Sequence, residues 1–192
     1  MQETGDHLSG SELIEVTEWV CFLRGQRGDE TAWRKITDTY RSRLTALALM
    51  ITRSATSAED VVQETFVRAL TAQVSNTSGT VHGFLGTIAY RLSVKEARRS
   101  RRHVPLNAAQ EYTQGETQIE RLLRGEREQL VAEAIAALSP EHRDVLLLRF
   151  YGGHSYEEIS ELLDTPLGTV KSRIFYAVAS CREVLKRKDY TE

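Results

Sequence analysis

The chain of 192 residues carries 25 lysines and arginines against 27 acids, a formal net charge of −2, and 41% of it is hydrophobic. That length suits one large domain or two small ones, and three prolines with 27% charged residues fit a soluble, mostly helical protein. No apolar run approaches the roughly 20 residues that span a bilayer, so no membrane insertion of its own is expected.

The acidic start, MQETGDHLSGSELIEV, lacks the basic and apolar stretches of a secretory signal. Cys21 and Cys181 stand far apart and form no CxxC, which reads as reduced structural thiols and a cytoplasmic location. The small net charge conceals strong local bias. Residues 1–30 hold seven acids and two bases, whereas residues 91–103 hold six bases and one acid. Residues 104–140 turn acidic again, with six acids and three bases. A basic stripe between acidic flanks can hold phosphate locally while total charge stays near zero.

In chain order, residues 1–21 read as an acidic N-terminal extension, with a short amphipathic helix over 11–23. Ser57-Ala-Glu-Asp60 has the spacing of a capping box and opens the helix SAEDVVQETFVRALT. Val61, Val62, Phe66 and Leu70 would pack, leaving Asp60, Gln63 and Glu64 on the surface. SNTSGT at 75–80 is a loop.

The next helix, GFLGTIAYRLSVKEARRSRRH, carries two lines. Val81, Leu85, Ile88 and Leu92 form a buried stripe at helical spacing. Phe84, Arg91, Lys95, Arg98 and Arg102 form a second line beside it, with Arg99 and Arg101 thickening its basic end. Guanidinium groups with aromatics such as Phe84 and Tyr90 nearby suit a single-stranded DNA backbone with bases free to stack. One or two cations would satisfy the C-terminal dipole of a helix, and six exceed that need.

Residues 104–125 open on proline, are polar and acidic, and read as a flexible linker. They divide a domain over 22–103 from one over 126–188. In the second domain, Ser139-Pro140 and Thr165-Pro166 each place a hydroxyl and a proline at a helix start, and Ser155-Tyr-Glu-Glu158 is a capping box. Asp164-Thr165-Pro166 makes a tight turn between two helices, and Gly168 permits close approach at the start of the second. The first of these helices packs through Ile159, Leu162 and Leu163. On the second, Val170, Ile174, Ala177, Cys181, Val184 and Leu185 share a core face. Lys171, Ser172, Phe175, Tyr176, Ala179 and Arg182 share the opposite one. This is the outline of a helix-turn-helix whose second helix enters a major groove, the aromatics meeting thymine methyls and sugars. An ordinary helical hairpin whose aromatics pack on a neighbour gives the same outline.

Gly152-Gly153 is expected merely to join two helices, with no phosphate-cradling glycine loop. His7, His82, His103, His142 and His154 lack ligand spacing and read as surface or cap residues. No catalytic residue, metal or cofactor is expected.

The stretches RGDETAWRKITDTYRSRLTALA, SAEDVVQETFVRALT, GFLGTIAYRLSVKEARRSRR, LSPEHRDVLLLRFYGGHSYEEISELL and TPLGTVKSRIFYA, in this order, resemble the extracytoplasmic-function (ECF) class of bacterial sigma factors. The resemblance covers most of residues 25–188. It implies an all-α protein of two small helical domains joined by a flexible linker, the C-terminal one a helix-turn-helix. Such a protein binds core RNA polymerase, recognises promoter DNA and promotes strand opening.

By the same resemblance, Asp60, Gln63 and Glu64 are candidates for core-polymerase binding. Phe84, Tyr90, Arg91, Lys95, Arg98, Arg99, Arg101 and Arg102 are candidates for the near (minus-ten) element as a single strand. Thr169, Lys171, Ser172, Arg173, Phe175 and Tyr176 are candidates for the far (minus-thirty-five) element as duplex. The linker would thread towards the polymerase active-site channel, and an anti-sigma factor is an expected partner.

The sequence departs from the family where Phe84 precedes Leu85 in place of tryptophan. It departs again where Arg91 and Lys95 replace asparagine and aspartate, and where Tyr176 and Val178 replace arginines. Near-element recognition is therefore expected to lean on the DNA backbone, and the family's far-element preference does not carry over. The alternatives are an autonomous helix-turn-helix regulator, which would normally need a dimer, and a sequestered adaptor that has lost DNA function.

Overall fold

The computed structural model of the chain describes residues 10–74, 79–103 and 126–189. Every regular element among them is an α-helix. The first unit holds α1 (Gly10–Gln26), α2 (Glu30–Thr52), α3 (Ala55–Thr71) and α4 (Val81–His103). The second holds α5 (Glu126–Ala136), α6 (Pro140–Phe150), α7 (Tyr156–Leu162) and α8 (Leu167–Asp189). The proposed linker, residues 104–125, lies outside the described residues.

In the first unit α2 is the central helix and packs along α1, α3 and α4. Its buried Ile36, Tyr40, Leu44 and Leu47 recur at helical spacing. Asp29 caps its start by accepting from the Ala32 amide at 3.0 Å, and Arg53 ends it in the left-handed region at φ 57°.

The boundary expected at residue 21 falls inside α1. Trp19 and Phe22 are buried in the unit's core. The Trp19 indole donates to the Gly79 carbonyl at 2.8 Å, and the Gln26 amide donates to the carbonyls of Ala69 at 2.7 Å and Ala72 at 3.0 Å. α1 thus satisfies carbonyls at the C-terminal end of α3 that the helix itself leaves unpaired.

Two of the expected helix starts are displaced. α3 begins at Ala55 because Ser54, not Ser57, is the cap, its side chain accepting from the Ser57 amide at 3.3 Å. α8 begins at Leu167, and the Pro166 carbonyl accepts from the amides of Thr169 and Val170 at 2.8 and 3.0 Å. Thr165 is therefore not a cap; its hydroxyl donates to the Leu163 carbonyl at 3.2 Å. The Ser155–Glu158 capping box is present in both directions. Ser139 does sit at the N-cap with Pro140 following, but its hydroxyl meets His142 Nδ1 at 3.1 Å instead of a backbone amide.

The core of the second unit joins Val145, Leu147 and Leu148 of α6 to Val170, Ile174 and Ala177 of α8, with Ile135 of α5. Arg143 of α6 closes the end of α5 by donating to the carbonyls of Ile135, Ala136 and Leu138 at 3.2, 2.6 and 2.8 Å. The buried apolar cluster continues from the first unit into the second, so the units touch.

Because Phe22 is fully buried, Phe22→Ala is expected to lower the unfolding free energy by about 3–5 kcal/mol. Urea denaturation measures this, and an unchanged midpoint would detach α1 from the core.

Candidate nucleic-acid interface

On α4 the expected apolar stripe is inaccessible at Val81 and Leu85 and half-buried at Ile88 and Leu92, and Ala89 is buried beside it. Arg91, Lys95 and Arg98 face solvent along the other side. Arg99 is exposed and bonded to Glu96 at 2.9 Å, so part of its charge is answered within the helix. The side chains of Arg101 and Arg102 lie outside the described residues.

Of the aromatics expected on or near this line, Phe84 is half-buried and borders a groove with Arg91, and Tyr90 is buried. Phe84 turns inward, with ring centroids 5.6 Å from Phe22 and 5.8 Å from Trp19. Tyr90 is 8% exposed, and its hydroxyl donates to Asp144 Oδ2 of α6 at 3.1 Å. Burial raises the proton affinity of both groups: the phenol lies well above the usual range and the Asp144 carboxyl is pushed up as well. In this arrangement Tyr90 is closed to a base, while part of the Phe84 ring remains exposed.

On α3, Asp60 and Gln63 are exposed, and Glu64 is half-buried and bonded to Arg68 at 2.7 Å. Val67 and Leu70 continue the same side at 58% and 40% exposure. Leu70 was expected in the core; it instead gives the acidic face an apolar edge, which suits a protein partner better than DNA. Val67 carried no signal in the sequence, since a single valine beside a buried stripe reads equally well as packing.

The helix-turn-helix takes the expected form. The turn reverses through Asp164 at φ 49° and is fastened by the Ser160 hydroxyl donating to the Thr165 carbonyl at 2.6 Å. Ile159 is buried beneath it and Leu162 and Leu163 are half-buried. On α8, Lys171, Ser172, Phe175, Tyr176, Ala179 and Arg182 are all exposed, as the 100° rule requires. Phe175 and Tyr176 reach 69% and 61% exposure and meet edge to face, 5.5 Å apart. Phe175 stands clear of the core, and Tyr176 borders a groove with Leu138 and His142. Thr169 and Arg173 are half-buried, and the Arg173 charge acts on Glu141 at the start of α6. No protein group lies near the space a side chain at Gly168 would fill.

Two histidines and two glycines expected to be incidental form the seam between the units. His82 of α4 is buried, stacked on Tyr40 at 5.2 Å, and its Nε2 donates to the Tyr151 carbonyl at 2.9 Å. His154 is 1% exposed, with Nε2 2.9 Å from the Thr87 hydroxyl and Nδ1 3.2 Å from the Leu148 carbonyl. A Cβ on Gly86 would overlap the Gly152 carbonyl, and Gly153 takes φ +74° against the His82 ring. Only tertiary contact distinguishes these from surface histidines and a loop, so local spacing could not reveal them.

Among the described residues no group of three or more His, Cys, Asp and Glu could hold a metal ion, and no helix is long and apolar enough to cross a membrane.

Burial holds both imidazoles below their usual range; for His82 the Arg43 and His154 charges add to this, while the Tyr151 carbonyl and Glu18 oppose it. For His154 the Leu148 carbonyl and Glu158 oppose burial. The unfolded chain therefore binds protons that the folded chain refuses. The stabilisation is complete above pH about 6.5 and is lost as pH falls below that value. Melting at pH 7.5 and 5.5 is expected to show a steeper loss for the native protein than for a His82→Gln, His154→Gln double variant. Equal slopes would mean the rings are hydrated in solution.

Family comparison agrees with this arrangement. Residues 36–103 match the sigma-70 region 2 family and residues 128–181 match sigma-70 region 4. The ECF RNA polymerase sigma factor SigL of Mycobacterium tuberculosis is 34% identical over 161 residues, covering 82% of this chain and 91% of that protein. The RNA polymerase sigma-H factor of Pseudomonas aeruginosa is 31% identical, covering 80% and 86%. The ECF RNA polymerase sigma-E factor of Haemophilus influenzae is 30% identical, covering 91% and 96%.

Two solved structures share the fold, each with a TM-score of 0.59. CnrH in complex with the cytosolic domain of CnrY is 21% identical, covering 88% of this chain and 96% of that one. The sigma factor RpoE with the anti-sigma factor NepR from Bartonella quintana is 22% identical, covering 80% and 96%. With region 2 on the helices that carry the basic line and region 4 on the helix-turn-helix, the chain belongs to the ECF sigma factors.

Proposed function

We propose that the protein is a cytoplasmic promoter-specificity subunit that binds core RNA polymerase, recognises promoter DNA and assists strand opening without catalysis of its own. The observation that carries this reading is three different solvent faces on one chain. α3 offers an acidic and apolar face suited to protein, α4 a cationic line, and α8 an exposed aromatic and basic face. Family membership supplies the context in which all three act together.

In this reading Asp60, Gln63 and Glu64, with Val67 and Leu70 beside them, dock on the polymerase. Arg91, Lys95, Arg98 and Arg99, extended by Arg101 and Arg102, track the near element's backbone once its strands part. Tyr90 is available to a base only after it leaves Asp144, and Phe84 supports the helix from within. Lys171, Ser172, Phe175 and Tyr176 enter the far element's major groove, with Thr169 and Arg173 at its edge. Polymerase tethers both DNA contacts, so each can be weak while the pair is firm. A polypeptide that covers these faces would silence the protein, which is why an anti-sigma factor is proposed as its partner.

Purified core polymerase, with and without the protein, tests the reading when the transcripts from genomic DNA are sequenced. Defined new start sites are the expected result. Tight, specific duplex binding by the protein alone, with no new starts, would instead favour an autonomous regulator.

Gln63→Ala with Glu64→Ala is expected to weaken core binding about tenfold or more, leaving the helical circular dichroism unchanged. Native affinity would remove α3 from the interface. Lys95→Ala with Arg98→Ala is expected to reduce open-complex formation, read by permanganate footprinting, well beyond any change in core binding. Undiminished opening would leave the cationic line without a role.

A further inference from the structure

We propose that Phe175 and Tyr176 read the C5-methyl groups of two consecutive pyrimidines in the far element, so that thymine and 5-methylcytosine are both accepted and cytosine methylation strengthens promoter binding. This rests on the assignment of α8 to the far element above and names what the helix reads there. At 69% and 61%, the two rings are the most exposed large apolar side chains among the described residues. They adjoin each other on one face, and a contiguous exposed aromatic surface marks a place where something binds.

The surroundings of the pair favour nucleic acid over protein. Lys171 precedes it and Arg182 follows it on the same exposed face, and no acidic residue occurs between those positions. The helical rise from one cation to the other is about 16 Å, against a major groove about 12 Å wide. With the rings over the floor of the groove, the cations fall at its two phosphate walls, where such contacts fix register. Ala179 is exposed beside the rings and too small to hold the helix away from the bases.

The polar side chains nearest the pair are already engaged. Ser172 Oγ donates to the Thr169 carbonyl at 3.0 Å, and Arg173 is half-buried with its charge acting on Glu141. Phe175 has neither donor nor acceptor, so the hydrogen-bond pattern of the base edges is closed to it. Neither Tyr176 nor Val178 offers the guanidinium that pairs with guanine O6 and N7. What remains for the rings is the C5-methyl of thymine, the apolar group a base pair shows in the major groove, and a methyl on cytosine C5 projects from the equivalent ring position. The rings meet edge to face at 78° with centroids 5.5 Å apart, an arrangement that holds each in place. That separation covers two stacked base pairs about 3.4 Å apart.

The test uses core polymerase loaded with the full chain, at one fixed salt concentration, on a promoter identified by its start site. Deoxyuridine replaces thymidine at each far-element position of either strand in turn, which deletes one methyl and keeps every hydrogen-bonding group. Two adjacent positions are each expected to lose about fourfold in affinity, the worth of one buried methyl. At those positions 5-methyldeoxycytidine is expected to bind about fourfold better than deoxycytidine. No loss with deoxyuridine at any position overturns the proposal, and so does a response to thymine without one to 5-methylcytosine.

Phe175→Ala with Tyr176→Ala separates the rings from the mechanics of the DNA itself. The double variant is expected to keep its helical content, both side chains being exposed, and to bind thymine and deoxyuridine promoters alike. Full discrimination surviving in the variant would place the methyl effect in the duplex and overturn the proposal. Weaker core-polymerase binding by the variant, with no methyl dependence in the native protein, would assign the pair to a protein partner instead. Should polymerase give no promoter-specific binding, the promoter-factor reading fails, and the same base comparisons on duplexes selected by the protein alone decide the methyl proposal.

Discussion

An α-helix has one circumference, and α4 and α8 must each share theirs between a core and a ligand. With 100° between successive residues, a buried stripe at spacings of three and four leaves only the opposite arc for anything that touches nucleic acid. α8 obeys this along its first turns, where Val170, Ile174 and Ala177 are buried and Lys171, Ser172, Phe175 and Tyr176 are not, while Cys181, Val184 and Leu185 further on are only half-buried. α4 has a harder task, because three surfaces claim it. Its inner arc serves the first unit, its outer arc carries Arg91, Lys95 and Arg98, and His82, Gly86, Thr87 and Tyr90 lie between, against the second unit. The rest of the architecture follows from how that middle arc is occupied.

What the sequence discloses is what depends on neighbours within about two turns. Periodicity placed the helices, and proline with serine or aspartate placed several of their ends. The exposed face of α8 could be read position by position, and its core face up to Ala177. Contacts distant along the chain were illegible. Phe84 sits one residue from Leu85, on the boundary between stripe and surface, and it was the aromatics of α1 that drew it inward. Leu70 looked like core but lies near the end of α3 and is 40% exposed. His82 and His154 are separated by 72 positions and bond backbone carbonyls, a pairing that no local spacing announces. Ser54 displaced Ser57 as a cap because two serines three apart offer equivalent frames, and tertiary packing selects between them.

The electrostatic organisation explains how a chain of net charge −2 can belong to a DNA-binding family. Cations lie along an exposed line at one end of α4, and most acids lie elsewhere. Arg99 and Arg68 are each answered by a carboxylate on their own helix, so the field at α4 is narrower than a count of six bases suggests. In the proposed reading such a protein adheres weakly to DNA in general, and its partner supplies the proximity that charge does not.

The exposed Phe175–Tyr176 pair has a consequence for ionic strength. Aromatic contact with thymine methyls displaces water without releasing condensed cations, whereas each guanidinium on a phosphate releases about one. If α4 holds phosphates and α8 meets thymine methyls as proposed, added potassium salt weakens the α4 contact more than the α8 contact. A fluctuating salt level would then change how readily strands are held apart while leaving the choice of upstream site nearly constant. Salt titrations against each promoter element separately would expose this asymmetry.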